Sequence, residues 1–198
     1  MLLLIRHGQT HLNAQRRFMG TTDAPLDDTG REQAQALGRS LTGEIDALYT
    51  SPLLRARQTA QPLGQAIVEP RLAELDQGRL EGMLAQEAML QFPDFFARWQ
   101  ADPTTAEVPG GESLGACLER ARAAVRDIVG RHASDTRIGI VSHQLVISAL
   151  LCWAADRPLR DWRTFAVGNG TVSTITSLDP PAVGIAGWVP SEDEPLPR

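Results

Sequence analysis

The hydrophobic pattern of the chain opens with a short apolar run, Leu2-Leu3-Leu4-Ile5, which stops at a cation, an imidazole and a glycine. An unbroken apolar run of this length is typical of a strand buried on both faces, as at the centre of a parallel sheet. Ligands of open α/β sheets bind outside the carboxyl ends of the strands. The pattern therefore predicts that Arg6 and His7 lie where chemistry takes place.

The alternation of apolar strands and amphipathic helices continues through most of the chain. A first helix is predicted around Thr29 and Glu32, which have capping-box spacing. The later elements follow the same periodicities: strands over 45–50, 137–142, 171–178 and, at an edge, 183–189, and helices over 53–67, 112–131 and 144–155. This alternation predicts an α/β three-layer sandwich, with a mainly parallel central sheet flanked by helices.

Residues 83–101 have a helical pattern with a break near Pro93, and they carry four of the chain's few aromatic side chains. We expect this segment to form a small helical cap, inserted at about residues 83–108, rather than part of the central core. A single domain then covers residues 1–190. The tail, 191–198, contains two prolines and three acidic residues and is expected to be loose.

The charge pattern restricts the chemistry. All 19 cationic residues are arginines, because the sequence contains no lysine. This excludes a Schiff-base lysine, a P-loop lysine and the strand lysine of protein kinases. A bound phosphate or carboxylate must be held by arginine forks, histidine and backbone amides. The net charge of −5 does not favour binding to the negatively charged backbone of a nucleic acid, so we expect no nucleic-acid partner.

Several features argue against metal and membrane binding. The two cysteines lie in apolar helical patterns and form no Cys-x-x-Cys pair, so a thiolate zinc site is not expected. The sequence opens on the buried strand without a basic leader, and its longest apolar run, 145–155, is too short to cross a bilayer. We expect a cytoplasmic protein that needs no metal, cofactor or membrane.

Three predicted strands end in polar residues, namely Arg6-His7, Ser51 leading to Arg55, and Ser142-His143. Parallel connectivity places these ends at the same edge of the sheet. Guanidinium groups repel a metal ion, whereas they bind the oxygens of a dianion in bidentate fashion. A helix predicted to begin at Gln144 directs its free N–H groups toward the same place. The sequence therefore predicts a phosphate site.

A neutral imidazole within such a site can attack phosphorus and form a phosphohistidine. The leaving alcohol then needs a proton, and a carboxylic acid with a raised pKa is suited to supply it. Glu74 and Glu81 lie in an acidic turn broken by glycines and are the candidates, with Glu81 the better structural hydrogen-bond partner.

The residues also resemble a known family. Arg6-His7-Gly8-Gln9-Thr10-x-x-Asn13 is similar to the signature of the histidine phosphatase superfamily, in the phosphoglycerate mutase-like branch that also contains small phosphatases. Further blocks follow in the family's order from residue 2 to about residue 175: Ser51 to Ala60, Glu74 with Gly78-x-x-Glu81-Gly82, Gly110-Gly111-Glu112-Ser113, Val141-Ser142-His143 and Asn169-Gly170-Thr171. A lone Arg-His-Gly would be weak evidence for the family, whereas five further blocks in the family's order make the resemblance specific.

The resemblance implies a role for each matching residue. His7 is the nucleophile that becomes phosphorylated, and Glu74 protonates the leaving oxygen and then activates water. The phosphoryl group is clamped by Arg6, Arg55 and His143, with a hydrogen bond from Asn13. Two residues of the long polar loop 11–28, Gly20 and Thr21, are further candidates for phosphate or substrate binding, since loops of this length are usually functional. Gln144 departs from the glycine that many members have, and it either hydrogen-bonds substrate or narrows the pocket.

The function that these residues imply is a metal-independent phosphomonoesterase for small phosphorylated metabolites. More specific alternatives are an α-ribazole phosphate phosphatase and a phosphoglycerate mutase, although mutases of the family are usually longer. A non-catalytic module that binds a phosphorylated ligand is a third class, and it predicts a damaged motif, which this sequence does not have. A homodimer is a further expectation.

Overall fold

The first strand, β1 (Leu2–Arg6), lies inside a six-stranded sheet in the computed structural model, which describes residues 1–190 and 196–197. The other strands are β2 (Ala47–Thr50), β3 (Ile67–Val68), β4 (Ile138–Ser142), β5 (Val172–Leu178) and β6 (Pro181–Val183). Their order across the sheet is β3-β2-β4-β1-β5-β6. The first four in this order are parallel to one another, β5 is antiparallel to β1, and β6 is antiparallel to β5. The predicted mainly parallel sheet is confirmed.

The register of the central strands brings their carboxyl ends level. Arg6 on β1 lies opposite Ser142 on β4, and Thr50 on β2 lies opposite Val141. The next peptide on each strand continues the ladder, since His7 N–H donates to the Ser142 carbonyl over 3.0 Å and Ser51 N–H to the Val141 carbonyl over 2.9 Å. The three polar strand ends therefore meet at one edge.

Helices cover both faces of the sheet. They are α1 (His11–Ala14), α2 (Asp28–Ser40), α3 (Leu54–Ala60), α4 (Ala85–Gln91), α5 (Pro93–Ala101), α6 (Leu114–Val129) and α7 (Gln144–Ala154), and short 3₁₀ turns cover Gln61–Leu63, Pro70–Leu72, Gly78–Leu80 and Leu159–Phe165. Leu2 and Leu4 pack into one core with α6 and α7, whereas Leu3 and Ile5 pack into a second core with α2 and α3. Alternate side chains of one strand thus enter opposite layers, as the unbroken apolar run predicts.

Four predicted features differ from the structure. The helix predicted over 53–67 ends at Ala60, and a 3₁₀ turn containing Pro62 leads through Gly64, at φ 130°, to the unpredicted strand β3. Asp27, rather than Thr29, caps α2 by accepting from Gly30 N–H. The polar loop contains the short helix α1, capped by Thr10. The predicted edge strand 183–189 is wrong, because β6 ends at Val183 and two glycines follow before Trp188 pairs with Val172.

Helices α4 and α5 occupy the segment predicted as a cap, and they break at Pro93 as predicted. Phe95 and Trp99 on α5 are buried, whereas Met89 and Leu90 on α4 are 52% and 78% exposed. Of the tail predicted to be loose, 191–195 and 198 lie outside the described residues. Leu196 is buried within the core that contains Leu3 and Ile5.

Candidate active site

His7 follows β1 directly and is buried, with 2% of its surface exposed. Its Nδ1 lies 2.7 Å from the Gly8 carbonyl oxygen. A carbonyl oxygen only accepts hydrogen bonds, so Nδ1 carries the proton and Nε2 keeps its lone pair. Burial, and then the positive charges of Arg55 and Arg6, hold the pKa of His7 well below its ordinary value. The ring is therefore neutral at neutral pH, with an unprotonated Nε2.

Two arginines surround this histidine. Arg55, in the first turn of α3, is 0% exposed and donates from Nη1 to the Thr22 carbonyl and from Nη2 to the Gly20 carbonyl, each over 2.8 Å. Arg6 donates from Nη1 to the Val167 carbonyl. Burial lowers the pKa of Arg6 to about 10 and also lowers the pKa of Arg55. A pKa of about 10 leaves Arg6 cationic at neutral pH.

The second histidine, His143, is the N-cap residue of α7 and is 0% exposed. Its ring centroid lies 5.1 Å from that of His7. Its Nε2 lies 2.6 Å from the Ser51 Oγ, at the end of β2. Burial, followed by the charge of Arg55, holds the pKa of His143 well below its ordinary value. Ser51 thus fixes the orientation of a neutral imidazole beside the nucleophile.

Buried polar nitrogens without partners concentrate around His7. Among the described residues, four buried side-chain polar atoms have no hydrogen-bond partner, and three of them are Arg6 Nε, Arg55 Nε and His143 Nδ1. An unpartnered buried donor costs about 1–3 kcal/mol, so native proteins retain such groups mainly where function uses them. Two cationic donors and an imidazole nitrogen next to a neutral nucleophile form a binding site for an oxyanion.

Glu74 is the buried carboxyl group of the site, with 7% of its surface exposed. Its carboxylate oxygens accept from Leu75 N–H over 2.9 Å and from Leu145 N–H over 3.4 Å. Burial raises the pKa of Glu74, although these two hydrogen bonds and the nearby arginines oppose the change. A carboxyl group with a raised pKa retains its proton to higher pH, as a general acid must. We call Arg6, His7, Arg55, Glu74 and His143 the His7 cluster.

Arg120 on α6 holds the segment that carries Glu74. Its guanidinium donates to three backbone carbonyls of that segment, those of Arg71, Ala73 and Glu74, over 2.8, 2.6 and 3.0 Å. It also forms an ion pair with Glu112. Glu112 in turn accepts from Asp76 N–H over 3.1 Å. The Gly-Gly-Glu-Ser block of the sequence therefore positions the acidic turn.

A cleft of about 250 Å³ opens in front of the cluster. Its lining includes Asn13 and Gln144 as predicted, and the full set is Arg6, His7, Asn13, Arg17, Phe18, Met19, Glu74, Gln77, Gln144, Leu145 and Trp162. Asn13 Oδ1 accepts from Thr10 N–H over 3.1 Å and from Asn169 Nδ2 over 3.3 Å. Because the Asn13 oxygen accepts from these two donors, the amide nitrogen of Asn13 is the group that is available to a ligand. Arg55 and His143 lie behind the cleft wall, buried next to His7.

Gly20 and Thr21 do not line this cleft. Their backbone N–H groups donate to Glu81 Oε1 over 2.9 and 2.6 Å, and the Thr22 hydroxyl donates to Glu81 Oε2 over 2.7 Å. The carbonyls of Gly20 and Thr22 hold Arg55. Glu81 thus has the structural role that its sequence position favours. Gly20 contacts Arg55 through its carbonyl, whereas Thr21 contacts Glu81.

Sequence reasoning assigned no role to three residues of the site. Ser51 was recognised only as a polar strand end, although it contacts His143. Gln77 is buried and lines the cleft, and its place inside the acidic turn next to Glu74 was a usable signal. Arg120 lies on an amphipathic helix 46 residues from Glu74, and nothing local in the sequence distinguishes it from solvated arginines.

The part of the chain that the structure describes is residues 1–190 and 196–197. This part of the chain contains no group of three or more histidine, cysteine, aspartate or glutamate side chains placed to hold a metal ion. No helix in the same residues combines the length and the apolar character that crossing a bilayer requires.

Known proteins are similar to this chain in sequence and fold along nearly its whole length. The sequence is 33% identical over 180 residues to phosphoserine phosphatase 1 of Hydrogenobacter thermophilus, covering 88% of this chain and 85% of that protein. A mycobacterial glucosyl-3-phosphoglycerate phosphatase, solved with VO3, superposes with a TM-score of 0.84 at 28% identity, over 96% of this chain and 98% of that one. An Escherichia coli structure, provisionally described as an alpha-ribazole-5'-P phosphatase, has a TM-score of 0.84 at 27% identity, over 98% of both chains.

The family model of the histidine phosphatase superfamily (branch 1) matches residues 2–181. The α/β fold with its six-stranded sheet agrees with these structural relatives. The resemblance inferred from the sequence motifs and the predicted enzyme class are both confirmed. This chain belongs to the histidine phosphatase superfamily, and it is a phosphatase of that superfamily.

Proposed function

We propose that the protein hydrolyses small phosphomonoesters through a phosphohistidine on His7. The observation that carries this proposal is the group of three unpartnered buried nitrogens, from Arg6, Arg55 and His143, around a histidine whose Nε2 is unprotonated. These donors suit the equatorial oxygens of a transferring phosphoryl group, where charge develops in the transition state. Asn13 and Gln144 line the cleft in front of them as additional hydrogen-bonding groups.

The proposed reaction has two steps. In the first, His7 Nε2 forms a bond to phosphorus while the ester P–O bond breaks, and Glu74 gives its proton to the leaving alkoxide oxygen. In the second, the Glu74 carboxylate takes a proton from water as the water oxygen attacks phosphorus. The P–N bond breaks, inorganic phosphate leaves, and His7 and Glu74 return to their starting protonation states.

The relatives support several substrates for this site. Their names include phosphoserine, glucosyl-3-phosphoglycerate and alpha-ribazole phosphate phosphatases, so the shared chemistry is the phosphomonoester itself. An α-ribazole phosphatase is the more specific alternative, and its support is the likeness to the Escherichia coli structure. We expect the protein to act in the cytoplasm on small molecules, without a nucleic-acid partner, and to form a homodimer.

The test is phosphate release from a substrate panel in excess chelator, combined with rapid acid or alkaline quench. The panel contains O-phosphoserine, 3-phosphoglycerate, α-ribazole phosphate, alkyl phosphates and an aryl phosphate. We expect chelator-resistant turnover and an acid-labile, alkali-stable phosphoenzyme, both lost in His7→Ala. His11→Ala is the matched control, since His11 is an exposed histidine on α1, and it should retain full activity. Hydrolysis that survives in His7→Ala would overturn the mechanism, and isomerisation of 3-phosphoglycerate without phosphate release would favour a mutase.

A further inference from the structure

An apolar chamber of about 180 Å³ adjoins the cleft beneath the cap. Four residues line both spaces, Phe18, Gln77, Leu145 and Trp162, and the cap contributes Met89 and Phe96 to the chamber alone. Because the same side chains form walls of both, the chamber lies directly beside the space that a molecule bound in the cleft would occupy.

The position of Glu74 fixes which part of a substrate would extend there. The proton of Glu74 goes to the leaving oxygen, so the leaving group lies on the Glu74 side of the cleft. The carboxylate of Glu74 accepts from the backbone N–H of Leu145 over 3.4 Å. The same residue, Leu145, lines the chamber. The leaving group is thus directed toward the apolar wall.

The chemistry of the chamber selects the type of leaving group. Its described lining contains no carboxylate, and its polar side chains are Gln77 and Arg163. The guanidinium of Arg163 stacks over the Trp162 ring at 4.5 Å from the centroid. Aromatic and thioether side chains make up much of the remainder, and such surfaces favour apolar or aromatic groups. A leaving group with both an ammonium and a carboxylate would lose hydration there without a matching set of partners.

We propose that the chamber is a leaving-group subsite, and that it makes the enzyme prefer phosphomonoesters of alcohols with an apolar chain or ring. This inference rests on the proposed phosphatase function and assigns the substrate class of the same site. It predicts that O-phosphoserine is a poorer substrate than an alkyl phosphate of similar length.

The experiment measures kcat/KM for linear alkyl phosphates from ethyl to hexyl. The intrinsic reactivity of the ester bond changes little along this series, so a rise in kcat/KM reports burial of the chain. We expect about a fourfold rise for each added methylene until the chamber is filled, because burial of one methylene is worth close to that factor. The binding of alkylphosphonates, which are not hydrolysed, is measured in parallel by calorimetry and should show the same dependence on chain length.

Two neighbouring residues of α4 provide matched variants. Met89 lines the chamber, whereas Leu90 does not, and both are exposed on the same helix. Met89→Glu should flatten the chain-length dependence of both kcat/KM and phosphonate binding, because it brings a charge to the apolar wall. Leu90→Glu makes the same chemical change outside the chamber and should leave both series unchanged.

The outcomes separate this inference from the proposed function. Hydrolysis with no dependence on chain length, or a preference for O-phosphoserine over hexyl phosphate, would overturn the subsite while the phosphatase function stands. If no phosphomonoester is hydrolysed, the proposed function fails, and the alkylphosphonate series then decides the subsite alone. A flat phosphonate series, or equal responses in Met89→Glu and Leu90→Glu, would overturn the subsite in either case.

Discussion

The His7 cluster and the cap hold their side chains in opposite ways. Every member of the cluster with a proposed catalytic or phosphate-binding role is engaged by backbone groups or by a neighbouring side chain; His7, Arg55, Glu74 and His143 are at most 7% exposed. The cap helix α4 instead presents Met89 and Leu90 to solvent, 52% and 78% exposed. Under the two proposals above, the buried cluster performs the chemistry, while a more accessible apolar surface contacts the variable part of the substrate. Catalysis and specificity can then change independently.

The largest effect should come from removing the acid. Glu74→Gln keeps the shape of the side chain but has no transferable proton. We expect kcat for alkyl phosphates to fall by about 10²–10⁴-fold, and the loss to shrink for aryl phosphates, whose leaving groups need less protonation. Steady-state kinetics across both substrate types measure this. As a control, Glu81→Gln loosens the Gly20–Thr22 loop and should reduce activity equally for all leaving groups. A uniform loss in Glu74→Gln would mean that Glu74 is not the acid.

The pH profile should reflect the same residues. The pKa of Glu74 is raised, so its acid form persists as pH rises, and kcat falls only as pH passes through that raised pKa. The pKa of His7 is lowered, so the nucleophile stays neutral as pH falls below the ordinary histidine range. The alkaline limb should disappear in Glu74→Gln, whereas the acid limb should remain. Profiles of kcat for the two proteins on one substrate test this; an alkaline limb unchanged in the variant would contradict it.

A smaller catalytic effect, but a large structural one, is expected from Arg120→Leu. The variant removes the Arg120 donor from three backbone carbonyls and removes the ion-pair partner of Glu112. We expect the free energy of unfolding to fall by about 2–4 kcal/mol, and kcat to fall because Glu74 loses its fixed position. Denaturant titration and kcat at a temperature where the variant is folded measure both. Arg126→Leu, an exposed change on the same helix, should alter stability by less than about 0.5 kcal/mol.

Ser51→Ala should have a more modest effect, because it removes the group 2.6 Å from His143 Nε2 while leaving every residue of the His7 cluster in place. We expect kcat to fall about tenfold, as for loss of one buried hydrogen bond. The free energy of unfolding should change little in comparison with Arg120→Leu. Nitrogen NMR of labelled His143 should show one dominant neutral tautomer in the native protein and a mixture in the variant. A single unchanged tautomer in Ser51→Ala would exclude a positioning role.

The smallest effect is expected on the cap surface. Leu90→Gln replaces a side chain that is 78% exposed and that touches neither the cleft nor the chamber. Stability should change by less than about 0.5 kcal/mol, and kcat/KM for ethyl phosphate should stay within twofold of the native value. Thermal denaturation and initial rates measure these. A large effect would contradict the division between a buried catalytic cluster and an accessible cap.

Much of the molecule follows from its sequence. The apolar run Leu2 to Ile5 specifies a strand buried on both faces, and the two cores that share its side chains agree with that pattern. Local motifs place His7 and His143 at strand ends, since hydrophobic periodicity and a polar stop are properties of neighbouring residues. Boundaries near proline and glycine were less predictable. The helix after Leu53 ended early, and β3 formed, because pairing with β2 outweighed helix periodicity over 61–68.

The sequence by itself determined the fold class and the position of His7 and His143 directly after two buried strands. Only the tertiary structure decided how those groups are held. The Ser51–His143 contact joins residues 92 positions apart, and Arg120 reaches Glu74 across 46. The chamber exists only where α4, α5 and the turn containing Trp162 meet the polar loop. The physical reason is that periodicity and motif spacing record local conformation, whereas burial, tautomer and pocket shape depend on which distant segments pack against each residue.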